Sequence, residues 1–334
     1  MSLPDAAAVI LWVGVTFYAV FGGADFGGGF WDLVAGGAER GERPRAVIQR
    51  SLTPVWEANH VWLIFCLVVL WTAFPEAFSA VMTTLYVPLT VAAFGIILRG
   101  SGFAFRKSIE GLSGRRAAGA TFAISSLLTP FFMGTVVGAI AAGNVPAEGN
   151  GEPFSSWLQP LPLLVGAIFV AGGAYLAAVF LVGDARRAGD EEMERYFARR
   201  ALDAAVVAGV LAIAGLFVLD SEAGYVYDRL VAEGLPLVIL SILCGAGALI
   251  ALVWGARRPL RPLAGGAFVA VIWGWGVAQF PYLLPTSLRI DQAAAPDPTL
   301  TIVLIVFGIA AVLVLPSLAL LYTLAQKDIL ESEH

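Results

Sequence analysis

The 334-residue chain is 59% apolar and only 13% Asp, Glu, Lys and Arg, about half the charged share of a soluble domain. With a mean hydropathy of +0.82 it cannot cover a water-facing surface, and a disordered polar chain is excluded on the same ground. The net charge of −5 is spread over short islands with no long basic run, which excludes nucleic acid as a partner.

The N-terminus, MSLPDAAAVILW, has no basic residue ahead of its apolar run, so it reads as a retained membrane span and not as a cleaved leader. Charge-free stretches follow at 6–24, 58–75, 77–98, 117–147, 153–183, 204–219, 234–256, 262–288 and 298–326. A helix needs about 20 residues to cross roughly 30 Å of hydrocarbon. Each stretch therefore reads as a span, with 204–219 the shortest. The inward segment 184–203 reads as a charged helix with opposite charges at i,i+4, such as Glu191 and Arg195. Outward loops at 143–160 and 220–234 are acidic and contain Gly and Pro.

Basic residues set the orientation. They cluster between spans 1 and 2 (Arg40 to Arg50), 3 and 4 (Arg99 to Arg116), 5 and 6 (Arg186 to Arg200) and 7 and 8 (Arg257 to Arg261), and at Lys327, while only Arg229 and Arg289 lie on the other side. The positive-inside rule then places the N-terminus outside and the C-terminus in the cytoplasm. The predicted fold is an all-α integral membrane protein with nine transmembrane helices, arranged as two four-helix bundles plus one peripheral helix. The predicted units are residues 1–143, 144–288 and 289–334, the last being the final helix and its tail.

Ionisable groups at membrane depth cost roughly 2.5–3.5 kcal/mol each on insertion scales, so each needs a reason. Asp25 sits among glycines in GGADFGGGFWD. Span 2 opens with TPVWEANHVWLI, where Pro54 suits a first helical turn and Glu57 and His60 share a face at i,i+3. Span 3 closes at Arg99. The topology brings Asp25, Glu57, Asn59, His60 and Arg99 to one cytoplasm-side depth, where a carboxyl partly withdrawn from water and opposed by an arginine is suited to proton transfer. The structural alternative is a static Asp25–Arg99 ion pair. Gln279 and Tyr282, in AQFPYLLP near the outer end of span 8, are candidates for lining a pocket, or for interfacial anchoring of Tyr282 beside a kink at Pro281. Cys66 and Cys244 lie in apolar runs, which argues against a disulfide framework. His60 and His334 are the only histidines, so no metal site is expected.

GADFGGG, TPVWEANHVWLI, LYVPLTVAAFGIILRGSGFAFR and the late FPYLLP, in this order and spacing, resemble subunit II of the cytochrome bd quinol oxidases. The likeness runs along the whole chain and is strongest over residues 20–106. It implies nine helices and a haem-free subunit beside a haem-bearing subunit I, in a prokaryotic cell membrane. Subunit I of that family carries two b-type haems and one d-type haem together with the quinol site, and the complex reduces dioxygen to water with cytoplasmic protons. A structural quinone, membrane lipids and a small single-helix subunit are further partners the resemblance implies. The family's W-D-G-N acid, assigned to a proton route, corresponds to Glu57 in W-E-A-N; Asp25, Asn59 and Arg99 match its other polar positions. The chain departs from the pattern with Glu57 for Asp, Ala58 for Gly, and His60 where Gln or Glu is usual.

The expected function is therefore a proton-supplying, haem-free subunit II of a bd-type quinol oxidase. The alternatives are a purely structural subunit and a proton-coupled transporter. A transporter calls for acids near the midplane and broken helices in both halves, whereas the acids here cluster toward one end of one half.

Overall fold

A computed structural model of the protein describes residues 1–37, 39–52, 56–108 and 112–326, with side chains described in these segments except at 52, 56–59, 103–108, 112–118, 322, 325 and 326. The first span is one continuous helical rod: α1 (Leu3–Phe17), a π-helical turn (Tyr18–Gly22) and α2 (Gly23–Val34). After it come α3 (Glu42–Leu52), α4 (Trp56–Ala73), α5 (Pro75–Thr84), α6 (Tyr86–Ser108) and α7 (Leu112–Ala141). The second half holds α8 (Pro160–Arg187), α9 (Glu191–Glu222), α10 (Gly224–Val231), α11 (Leu235–Val253) and α12 (Leu260–Gln279). A small antiparallel ribbon, β1 (Tyr282–Leu284) with β2 (Leu288–Arg289), then leads through α13 (Ile290–Ala293) to α14 (Asp297–Gln326).

Among the described residues seven helices are long and apolar enough to cross a membrane, or eight if one sharply bent pair is taken as a single span. That pair is His60–Ala73 with Pro75–Thr84, bent by 117°. The nine predicted stretches all fall mainly on helix, but their boundaries differ for physical reasons. Between stretches 58–75 and 77–98, Phe74 is non-helical (φ −138°, ψ 62°) ahead of Pro75, as expected for a residue forced out of the α region by the proline ring. The stretch 77–98 is itself not one straight helix, since the chain breaks at Leu85 (φ −106°, ψ 26°) before α6 begins. Stretch 262–288 stops being helical at Gln279, because Pro281 has no N–H to continue the ladder and the ribbon takes over.

The charged segment 184–203 is not a helix of its own. It is divided between the end of α8 and the start of α9 by a turn in which Gly189 takes φ +71° and the Asp190 side chain caps α9 by accepting from the Met193 N–H. Charged residues thus occupy an overhang of α9. Stretch 204–219 looks short only because span length was read from the absence of charge.

Helices in lipid gain little from excluding water from one another, so close van der Waals approach decides where they meet. The α8 helix is the most buried, packing against α2, α7 and α9. A Cβ at Gly27 of α2 would sit 2.0 Å from the Gly173 carbonyl oxygen of α8, so these helices touch backbone to backbone. Gly134 of α7 would likewise meet Gly166 of α8 at 2.7 Å.

Opposite ends of the molecule have different chemistry. At the arginine-rich end, Arg43 pairs with Asp190 at 3.0 Å and with Glu192, Arg257 with Glu194 at 2.9 Å, and Arg261 with Asp184 at 2.6 Å. These pairs tie the first loop, the α8–α9 turn and the start of α12 together. At the other end neutral and acidic groups close the loops: Leu161 N–H donates to Glu222 at 2.9 Å, Ala147 N–H to Ser287 at 2.7 Å, and Ala295 N–H to the Ala73 carbonyl at 2.8 Å.

Candidate functional site

Asp25 lies in the first turn of α2, just after the π turn and toward the arginine-rich end of its span. Arg99 comes to it from α6. The sequence stretch ended there, but the helix continues to Ser108, so Arg99 is inside the packed bundle and not at a helix terminus. Asp25 is 2% and Arg99 1% exposed. One guanidinium nitrogen, Nη2, donates to Asp25 Oδ1 at 2.6 Å and to the Asp25 backbone carbonyl at 3.0 Å. The other, Nη1, donates to Ser126 Oγ of α7. Ser126 Oγ in turn donates to the Phe122 carbonyl at 2.6 Å. The guanidinium carbon also lies 4.8 Å from the Phe26 ring centroid and 4.5 Å from that of Phe122, within cation–π range.

Local sequence makes this arrangement possible. A Cβ at Gly29 would fall 2.1 Å from Ser126 Oγ and 3.0 Å from Arg99 Nη1, so only glycine lets α2 approach. Pro130 inside α7 lacks the N–H that the Ser126 carbonyl would bind four residues earlier, which loosens the helix ladder where it receives the arginine. Gly29 belongs to the glycine run that marks Asp25 in the sequence, whereas Ser126 did not stand out. The Ser125–Ser126 pair in an apolar helix reads as hydroxyls bonded back to their own helix, as both are, each donating to the Phe122 carbonyl.

His60 joins the cluster: its ring lies edge-on to Phe26, 6.3 Å between centroids. Glu57 and Asn59 belong to the first turn of α4, three residues and one residue before His60, and their side chains lie outside the described residues. Gln279 and Tyr282 are elsewhere, at the opposite end of the molecule. Gln279 is buried and donates to the Leu283 carbonyl at 2.7 Å, closing the turn into the ribbon. Tyr282 stands edge-on to Tyr225 at 5.4 Å, with Arg289 over its ring. Tyr225 donates to the Phe280 carbonyl at 3.1 Å, and partial burial raises its phenol above the ordinary value. Every polar contact described at these two residues belongs to the folding of the ribbon.

An apolar groove of about 580 Å³ runs between α2, α7, α8 and α9, lined by residues such as Phe30, Trp31, Phe131 and Val170, with Asp203 at its margin. Among the described residues no group of three or more His, Cys, Asp or Glu is placed to hold a metal ion.

Comparison with known proteins agrees with this architecture. The chain is 28% identical over 314 residues to the cytochrome bd-I ubiquinol oxidase subunit 2 of Escherichia coli K12, covering 83% of this chain and 80% of that protein. It is 24% identical over 315 residues to the cytochrome bd ubiquinol oxidase subunit 2 of Bacillus subtilis 168, covering 92% and 89%. Its fold matches a chain of the bd oxidase from Geobacillus thermodenitrificans with a TM-score of 0.78 at 24% identity, over 97% of this chain and 98% of that one. The sequence model that describes the cytochrome bd terminal oxidase subunit II matches residues 3–325. A match of that extent, on a bundle of apolar helices with a buried Asp25–Arg99 pair, leaves the transporter reading without support: the chain belongs to the cytochrome bd terminal oxidase subunit II family.

Proposed function

We propose that this subunit conducts protons from the cytoplasm toward a haem-bearing subunit I, which oxidises quinol and reduces dioxygen to water. The route enters at Glu57, passes His60 and Asn59, and reaches Asp25, which Arg99 holds in place. In this reading the arginine-rich end faces the cytoplasm, the N-terminus is outside, and the chain crosses the membrane nine times as two four-helix bundles and a final helix. A small single-helix subunit and bound lipid or quinone complete the assembly, the latter near Gln279 and Tyr282.

The observation that carries the reading is the asymmetry of the Asp25 carboxylate. Oδ1 is held by Arg99, whereas Oδ2 is buried without a hydrogen-bond partner among the described residues. A buried carboxylate oxygen left open costs free energy unless it has work to do. Here it is the atom that takes up and releases the proton, while the arginine keeps the other oxygen fixed and limits the cost of the charged form.

The sequence holds two histidines, His60 and His334, too few to ligate the three haems of such a complex. The b-type and d-type haems are assigned to subunit I, and no step here runs through them.

The structural reading keeps one observation in its favour: Arg99 is bound by Asp25, Ser126 and two aromatic faces, as a static clamp between helices would be. Glu57→Gln in the intact complex separates the two. A proton route predicts that oxygen consumption falls at least about tenfold with haem absorbance retained. Undiminished consumption selects the clamp.

A further inference from the structure

Tyr18 stands midway along the first span, one residue after α1 ends, and makes none of the contacts of the Asp25–Arg99 pair. The helix changes there to a π turn over Tyr18–Gly22. Such turns are rare and collect at functional sites, because they break the regular carbonyl ladder and re-aim the residues that follow. The ring lies against Gly22, where a Cβ would come within 3.0 Å of it, so the glycine makes room for the phenol. Its hydroxyl is buried and has no hydrogen-bond partner among the described residues, as is true of Asp25 Oδ2 and Arg99 Nε. Gly22 in turn precedes Asp25 by three residues, so the phenol, the glycine and the carboxylate follow one another along the rod.

One region thus contains an open acceptor, an open donor and a hydroxyl able to do both. Hydrocarbon cannot satisfy them, and a buried water typically makes two to four bonds to such groups. We propose that ordered water joins Asp25 Oδ2 to the Tyr18 hydroxyl, and that the phenol passes protons onward along the first span toward the middle of the membrane. This rests on the proton route proposed above and extends it by one station. The transfer balances: the Asp25 carboxyl gives its proton to the water, and the water gives one of its own to the phenol oxygen. As it does so, the phenol O–H proton leaves to a second ordered water on the far side of the ring. The first water and the phenol regain their original complement, tyrosine never carries a net charge, and Asp25, left as the carboxylate, is reprotonated from the Glu57 side.

The test uses the intact complex with Tyr18→Phe, which keeps the ring and removes only the hydroxyl, beside Glu57→Gln. Proton uptake during a single reaction of the reduced complex with dioxygen is followed together with haem absorbance and the dioxygen-binding step. The inference predicts that Tyr18→Phe slows proton uptake about tenfold while haem content and dioxygen binding stay at the parent level. Parent-rate uptake in Tyr18→Phe with slowed uptake in Glu57→Gln overturns the role of Tyr18 and leaves the route through Glu57 standing. Parent rates in both variants overturn both. A structure of the parent complex resolving internal water decides independently of whether the variant assembles. Water within about 3.2 Å of both oxygens supports the inference, and a phenol bonded only to protein groups overturns it.

Discussion

Arg99 heads the fully buried side chains by volume, and it is charged. Removing it leaves the buried Asp25 carboxylate without its charge partner. Arg99→Met is therefore expected to cost about 3–5 kcal/mol, read as lost assembled complex and a lower melting temperature. Arg99→Lys recovers only part of this, since an ammonium cannot span Asp25 and Ser126 as a planar fork does. Replacing both partners, Arg99→Met with Asp25→Leu, is expected to regain most of the stability and none of the turnover. If turnover returns as well, the pair is only a clamp. At this scale the sequence was informative wherever an ionisable group interrupts an apolar run, because such a group is too costly to be incidental. It was silent on Ser126 and Tyr18, whose hydroxyls are ordinary in membrane helices and acquire meaning only from the arginine and aspartate nearby.

The helices meet where glycine allows backbone contact. Gly27→Ala places a methyl 2.0 Å from the Gly173 carbonyl oxygen, so α2 and α8 must separate, at a cost of about 1–3 kcal/mol or more for overpacking. Gly245→Ala in α11 meets nothing within 4 Å and should gain up to about 1 kcal/mol of helix stability. Melting curves of the purified complex compare the two, and equal effects would contradict the α2–α8 contact as the cause. The elements were legible to the extent that charge marks the membrane boundary. That rule fails for α9, which carries its charged residues on a helical overhang beyond the apolar stretch. It also fails at Leu85 and at Gln279, where the helix breaks without leaving apolar composition.

For the whole molecule, the alternation of basic loops was the clearest signal in the sequence, and the structure gathers three of those segments at one end as cross-linking ion pairs. Asp190 belongs to that network. The Met193 N–H, and Arg43 after it, hold its carboxyl below the ordinary value of 3.8. A carboxylate depressed in this way contributes stability that is complete above its unfolded pKa and is lost as pH falls through the lower folded one. The melting temperature of the complex should accordingly decline below about pH 4. Asp190→Asn, which still caps the helix but has no charge to lose, should show a smaller decline. Identical acid profiles would remove Asp190 from the account. Proton delivery to a partner subunit is the claim on which the functional account turns. Its most direct test is proton uptake by the parent and Glu57→Gln complexes during one reaction with dioxygen, with haem bands recorded in the same traces. The account predicts uptake slowed at least about tenfold with unaltered haem bands, and equal uptake rates in the two complexes would contradict it.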